Sequence, residues 1–261
     1  MKINKRGKIV ILTLLLVLVI FLMILCIKFF PKNNKNNYVA EPITLSFESR
    51  IDTLNKFDSG IYYKFGWLQV QGTHIDLPIL DSRSVSDEID YSYGWLSPNV
   101  STNENRLVLL GHNVLNVSSS PMRPNEILKD FEELMAFVYY DFARDNLYIQ
   151  YTKDNKDEIY LIYGIGFYDY DYKYDNQSLK DDEVETYIDY VKENSLYNYD
   201  IDVNKEDTLL TIKTCTRYFG AYEKQQLVID ARKLRDDEDT LKYQVTQTKK
   251  YDELIKIEES L

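Results

Sequence analysis

Cysteine is nearly absent from this 261-residue chain. Only Cys26 and Cys215 occur, and Cys26 lies inside a long apolar run. The rest of the chain therefore holds one thiol and cannot form an internal disulfide. A lone thiol outside the membrane is either a small buried apolar residue or a group in use. Histidine is as scarce, with His74 and His112 alone. Glycine (9) and proline (6) are few while apolar residues make up 44%, so broad disorder is excluded. No repeat occurs at solenoid or propeller periods. Basic residues are short too. Seven of the 31 precede Glu41, which leaves 24 against 42 acidic residues and a formal charge of −18 from there on. Such a surface argues against nucleic acid or an anionic bilayer as partner and reads as a solvated exterior. The acidic pairs, such as Asp181-Asp182 and those within residues 236–239, lack the spacing of an EF-hand loop, so neither metal nor cofactor is expected.

Acidic residues are missing altogether before Glu41, and there the chain turns hydrophobic. Lys2, Lys5, Arg6 and Lys8 precede residues 9–27, apolar but for Thr13 and about as long as a membrane crossing requires. A cleaved signal peptide has a shorter apolar region ending in small residues, whereas this run ends in Ile27-Lys28-Phe29-Phe30-Pro31. The reading is an uncleaved single-pass anchor in the cell membrane, basic flank inside and the remainder extracellular. Residues 1–31 are thus the flank and anchor. Residues 32–60 are a polar tether and a weak helix over 41–56. Residues 61–235 form the main domain, and residues 236–261 a charged tail, either a surface helix or frayed.

The main domain reads as mainly β with a few helices, most simply a closed barrel. Strands are expected at residues 65–70, 74–80, 106–110, 138–142, 146–151, 158–167, 208–214 and 226–232, and helices at 126–137 and 181–194. Tyrosine is abundant at 23. The alternating run from Tyr168 to Tyr174 reads as an exposed acidic loop, with a peptide-binding rim as the alternative.

Two of these strands end on chemistry. Arg106-Leu-Val-Leu-Leu110 runs into Gly111-His112-Asn113, and Thr208-Leu-Leu-Thr-Ile212 runs into Lys213-Thr214-Cys215. A thiol and an imidazole at strand ends fit a nucleophile with a proton-transfer partner, which meet in the fold and not in the chain. Taken alone, Cys215 also fits a buried apolar role and His112 a structural one. His74 reads as a surface residue, and Asn113 as a group that caps or orients the histidine loop.

With these residues in hand, the chain resembles the sortases, membrane-anchored cysteine transpeptidases of Gram-positive bacteria. Thr211-Ile212-Lys213-Thr214-Cys215 is similar to the TLxTC signature, and Gly111-His112-Asn113 to the segment around the catalytic histidine. Gly66-Trp67-Leu68 with Gly72-Thr73-His74-Ile75-Asp76-Leu77-Pro78-Ile79 resembles the entry to the sortase barrel, and Tyr93-Gly94-Trp95-Leu96 a segment of the class B branch. The resemblance covers residues 61–233. It implies that Cys215 cleaves a C-terminal sorting signal of secreted proteins through a thioester, and that the acyl group passes to an amine of the cell wall or of a pilin. It implies His112 as acid and base. The family's third catalytic residue is an arginine, whose position falls on Gln226. The oxyanion partner is then Arg217 or Gln226, with Lys224 a poorer donor and Arg232 too far along its strand. That departure leaves a second reading open, a sortase-fold scaffold of low turnover that binds surface or pilin proteins. A third, an ordinary cysteine peptidase, differs only in using water as acceptor.

Overall fold

The structure, a computed structural model, describes residues 38–60, 62–81, 93–97, 105–113, 130–175, 178–216, 218–219 and 225–260. Residues Ala40–Leu261 form a compact unit by themselves. The apolar run at 9–27 lies outside the described residues, and among those described no helix is long and apolar enough to cross a membrane.

In chain order the elements are β1 (Glu41–Pro42), α1 (Ile51–Lys56), β2 (Lys64–Val70), β3 (Asp76–Leu80), β4 (Gly94–Leu96), β5 (Arg106–Gly111) and a 3-10 helix (Asp130–Val138). Then follow α2 (Tyr140–Asp145), β6 (Tyr148–Lys153), β7 (Lys156–Asp169), α3 (Val184–Asn194), β8 (Tyr197–Tyr199), β9 (Leu209–Thr216) and β10 (Gln225–Lys233). The chain ends with β11 (Leu241–Lys242), β12 (Val245–Gln247) and α4 (Lys249–Ser260). Eight strands close a barrel in the order β10-β7-β6-β2-β3-β4-β5-β9. Closure removes the free edges that an open sheet would expose.

Local chemistry explains the elements. The β6–β7 hairpin turns on Asp154 (φ 51°) and Asn155 (φ 60°), two residue types that tolerate the left-handed region a two-residue type I′ turn needs. Helix α3 buries Val184, Tyr187, Ile188 and Val191, one face at helical spacing. It lies on the outer face of the barrel, against β7, where a methyl group at Gly164 would overlap Val191. At the end of β5, Gly111 leaves room for the ring of Phe131 from the 3-10 helix.

Several expectations change. Residues 138–142, read as a strand, instead leave the 3-10 helix and enter α2, where Phe142 packs edge-on against Phe137 and the Tyr140 hydroxyl donates to the Val245 carbonyl at 2.8 Å. The helix expected over 41–56 shortens to α1, preceded by a strand that pairs with β11. The run from Tyr168 to Tyr174 is not an exposed loop. Tyr168 and Tyr174 are buried, and Tyr172 stacks on Tyr168 and on Tyr190 of α3; Tyr170 alone of the four tyrosines is exposed. The aromatic bodies supply apolar area that the acidic neighbours conceal in the sequence pattern.

Candidate active site

Strand β9 is the axis of the site. Parallel β5 flanks it on one side, with Gly111 opposite Thr214, and antiparallel β10 on the other, with Gln226 opposite Cys215. The Thr214 hydroxyl donates to the Gly111 carbonyl at 2.8 Å, fixing the ends of β5 and β9 together. The residues that follow are the expected pair, His112 just past the end of β5 and Cys215 within β9. The two strands run about 4.8 Å apart and in the same direction, so they deliver His112 and Cys215 to the same end of the sheet. Between buried Thr214 and Thr216, Cys215 is exposed.

Strand β4 brings Trp95, whose ring centre lies 4.7 Å from that of His112 and tilts 54° to it. Half-burial lowers the His112 pKa below the ordinary imidazole range, because the charged form loses solvation. The neutral imidazole, able to accept a proton, is thus the resting form near neutral pH.

Outer-face positions alternate along β9 as Thr211, Lys213 and Cys215. Below the thiol, Lys213 is buried and donates to the Asp175 carboxylate at 2.6 Å and the Asp175 carbonyl at 3.1 Å. The buried Gln226 amide donates to that same carboxylate oxygen and, at 3.4 Å, to the Asp169 carbonyl. One level further down, the Thr211 hydroxyl donates to Asp230 at 2.6 Å and accepts from the Arg106 guanidinium at 3.0 Å. Tyr187 of α3 also donates to Asp230, and the Arg106 guanidinium lies 4.2 Å from the Tyr187 ring centre. A polar column thus stands behind the reactive end of β9.

The structure brings Cys215, His112 and Gln226 to one end of the barrel. Arg217 and Lys224 lie outside the described residues. Arg232 pairs with Leu209 at the far end of β9, and its guanidinium grips Glu238 through two bonds of 2.6 Å. His74 is half-exposed and its ring meets buried Glu133 at 2.9 Å. Lys213 and Asp175 escaped the sequence reading as site residues. The one available signal was a lysine within an otherwise apolar and threonine-rich strand; nothing in the sequence pointed to Asp175.

Solved structures share this architecture. Sortase B of Clostridium perfringens superposes with a TM-score of 0.56 at 18% identity, covering 71% of this chain and 98% of that one. Staphylococcus aureus sortase B gives 0.56 and 18% over 71% and 87% of the two chains. The sortase B of the Streptococcus pneumoniae type II pilus gives 0.55 and 20% over 75% and 100%. The fold is that of sortase B. No protein-family model and no curated protein sequence matches the chain. The resembling segments lie on strands of this barrel, Gly66-Trp67-Leu68 in β2, Asp76 to Ile79 in β3, Gly94-Trp95-Leu96 in β4, Gly111 at the end of β5 with His112 next, and Thr211 to Cys215 in β9.

Proposed function

We propose that this chain is a sortase-type cysteine transpeptidase, anchored in the membrane by residues 9–27 with its barrel outside the cell. The observation that carries the reading is the exposed thiol of Cys215 and the half-buried His112, each next in sequence to a member of the pair Thr214 and Gly111 that joins β9 to β5. Neutral His112 takes the thiol proton as the sulfur attacks the scissile carbonyl of a sorting peptide. The imidazolium then donates that proton to the leaving amine, the C–N bond breaks, and a thioester remains. An incoming amine attacks the thioester, gives its proton to His112, and displaces the thiolate with formation of a new amide. Structures of sortase B with a substrate and with triglycine exist among the similar proteins. By that likeness the substrates here are secreted proteins with a sorting motif, and the acceptor is an amine of the cell wall or of a pilin.

The test uses the full-length chain in a nonionic detergent, a panel of sorting-motif peptides and an oligoglycine acceptor. Mass spectrometry should find an acyl adduct on Cys215 that disappears when the amine is added. No adduct with any peptide that binds would favour the scaffold reading. The observation on that side is the neutral Gln226 where the family carries arginine, with both amide hydrogens given to Asp175 and Asp169.

For that same reason we propose Arg217 as the oxyanion donor, with Gln226 the alternative. Arg217→Ala should lower kcat/KM by about 10²–10³, as loss of an oxyanion donor does, while Gln226→Ala should change it little. The reverse ranking would transfer the role to Gln226.

The lowered His112 pKa fixes a pH limb. The free enzyme needs His112 neutral, so kcat/KM should fall only as pH drops below the ordinary imidazole value of about 6.5. A fall that begins well above pH 7 would show that His112 is not the group titrating.

A further inference from the structure

We propose that Lys213, held by Asp175, supplies a fixed positive charge behind the Cys215 sulfur and so favours the anionic forms of the reaction, a role that rests on the transpeptidase reading of this site. Lys213 and Cys215 are two residues apart on β9. Their side chains share the outer face and their Cα atoms are about 7 Å apart. The ammonium is buried and points at a carboxylate whose second donor, Gln226, stands directly opposite Cys215 across the strand pair. One carboxylate thus ties the segment after β7 to the strand that carries the thiol and to its neighbour β10.

The pair does not cancel at the sulfur. Lys213 has 2% of its side chain exposed and Asp175 15%, so the field of the lysine is less screened by water than that of its partner. The Gln226 amide further compensates the carboxylate. Burial lowers the Lys213 pKa and the nearby Arg106 charge adds to the fall, opposed by its bond and attraction to Asp175 and by a smaller attraction to Cys215. Lys213 cannot touch a substrate from its buried position. It is a positioning residue that acts through the thiol. In a chain whose arginine position holds a neutral glutamine, it returns a charge to the site from below.

Two alkylating reagents read this charge without any sorting peptide. Iodoacetate is an anion and iodoacetamide is neutral; in both, the sulfur–carbon bond forms as iodide leaves. The ratio of their rates at Cys215 therefore reports the local potential, independent of how much thiolate is present. The measurement uses the full-length chain in nonionic detergent, with peptide mapping to separate Cys215 from Cys26. Lys213→Met should lower the iodoacetate-to-iodoacetamide ratio about five-fold, and Lys213→Arg should restore it. The double variant Lys213→Met with Asp175→Asn leaves no unpaired carboxylate and should still lower the ratio, about two-fold. A double variant with the wild-type ratio, or a Lys213→Arg that fails to restore it, overturns the proposal. With an active wild type, Lys213→Met should also lower kcat for acyl-enzyme formation while KM stays near its original value. A wild type that forms no acyl-enzyme counts against the transpeptidase, and the alkylation ratio still decides the role of Lys213.

Discussion

Cys215→Ala is expected to abolish thioester formation and peptide cleavage while the barrel stays folded. The sulfur is exposed at the end of β9, so its removal opens no cavity and leaves no buried group unpaired. Thermal unfolding should therefore match the wild type within about 1 kcal/mol. Removal of a protease's nucleophile costs roughly 10⁶ in kcat, because what remains is binding and oxyanion stabilisation. The combination separates roles that sequence alone leaves together. A buried structural cysteine would show lost stability with little change in chemistry. Cleavage surviving in Cys215→Ala would sink the transpeptidase and the peptidase readings at once, since both require the same sulfur. Cleavage that is lost, in a wild type that releases peptide but never transfers it to an amine, would identify the peptidase.

The parts of the site that were legible in the sequence are those where local pattern and chemistry coincide. Short apolar runs before Gly111-His112 and Thr214-Cys215 marked two buried strands, and β5 and β9 are those strands. The parallel pairing that joins Gly111 to Thr214, and so brings the ends of β5 and β9 together, is a property of closure and left no local trace. Residues 138–142 misled because aromatic residues favour strands on average, whereas here Phe137 and the distant Val245 carbonyl hold Phe142 and Tyr140 in a helix. The tyrosine run misled for a related reason. Its alternation with aspartate looks solvated until Tyr187 and Tyr190 of α3 arrive to cover it. Asp175 belongs to that segment. Its carboxylate meets Lys213 only because the chain folds back across a separation of 38 positions, which no spacing rule encodes.

The largest stability effect is expected at Asp230. This carboxylate is buried beneath α3, where it accepts from the Tyr187 and Thr211 hydroxyls, and the Thr211 oxygen in turn accepts from buried Arg106. Burial raises the Asp230 pKa; attraction to Arg106 and the hydroxyl bonds pull it back without cancelling the rise. A carboxyl group with a raised folded-state pKa gives stability below its unfolded pKa and loses it as pH climbs through the folded one. Ionised Asp230 is therefore not a net source of stability by itself at neutral pH. Its removal is another matter. Asp230→Ala removes a carboxylate that attracts the buried Arg106 guanidinium and takes the acceptor from the Tyr187 and Thr211 hydroxyls, a loss of about 3–5 kcal/mol if it behaves as a broken buried pair does. Asp230→Asn, which keeps an acceptor in place, should lose clearly less. Arg106→Met combined with Asp230→Asn should recover much of the loss, because no lone charge stays in the interior. Urea unfolding of the three variants orders them. Should Asp230→Ala and the double variant unfold alike, the pair would contribute through packing alone, and α3 would be held on the barrel by Val184, Ile188 and Val191 without help from the charges beneath it.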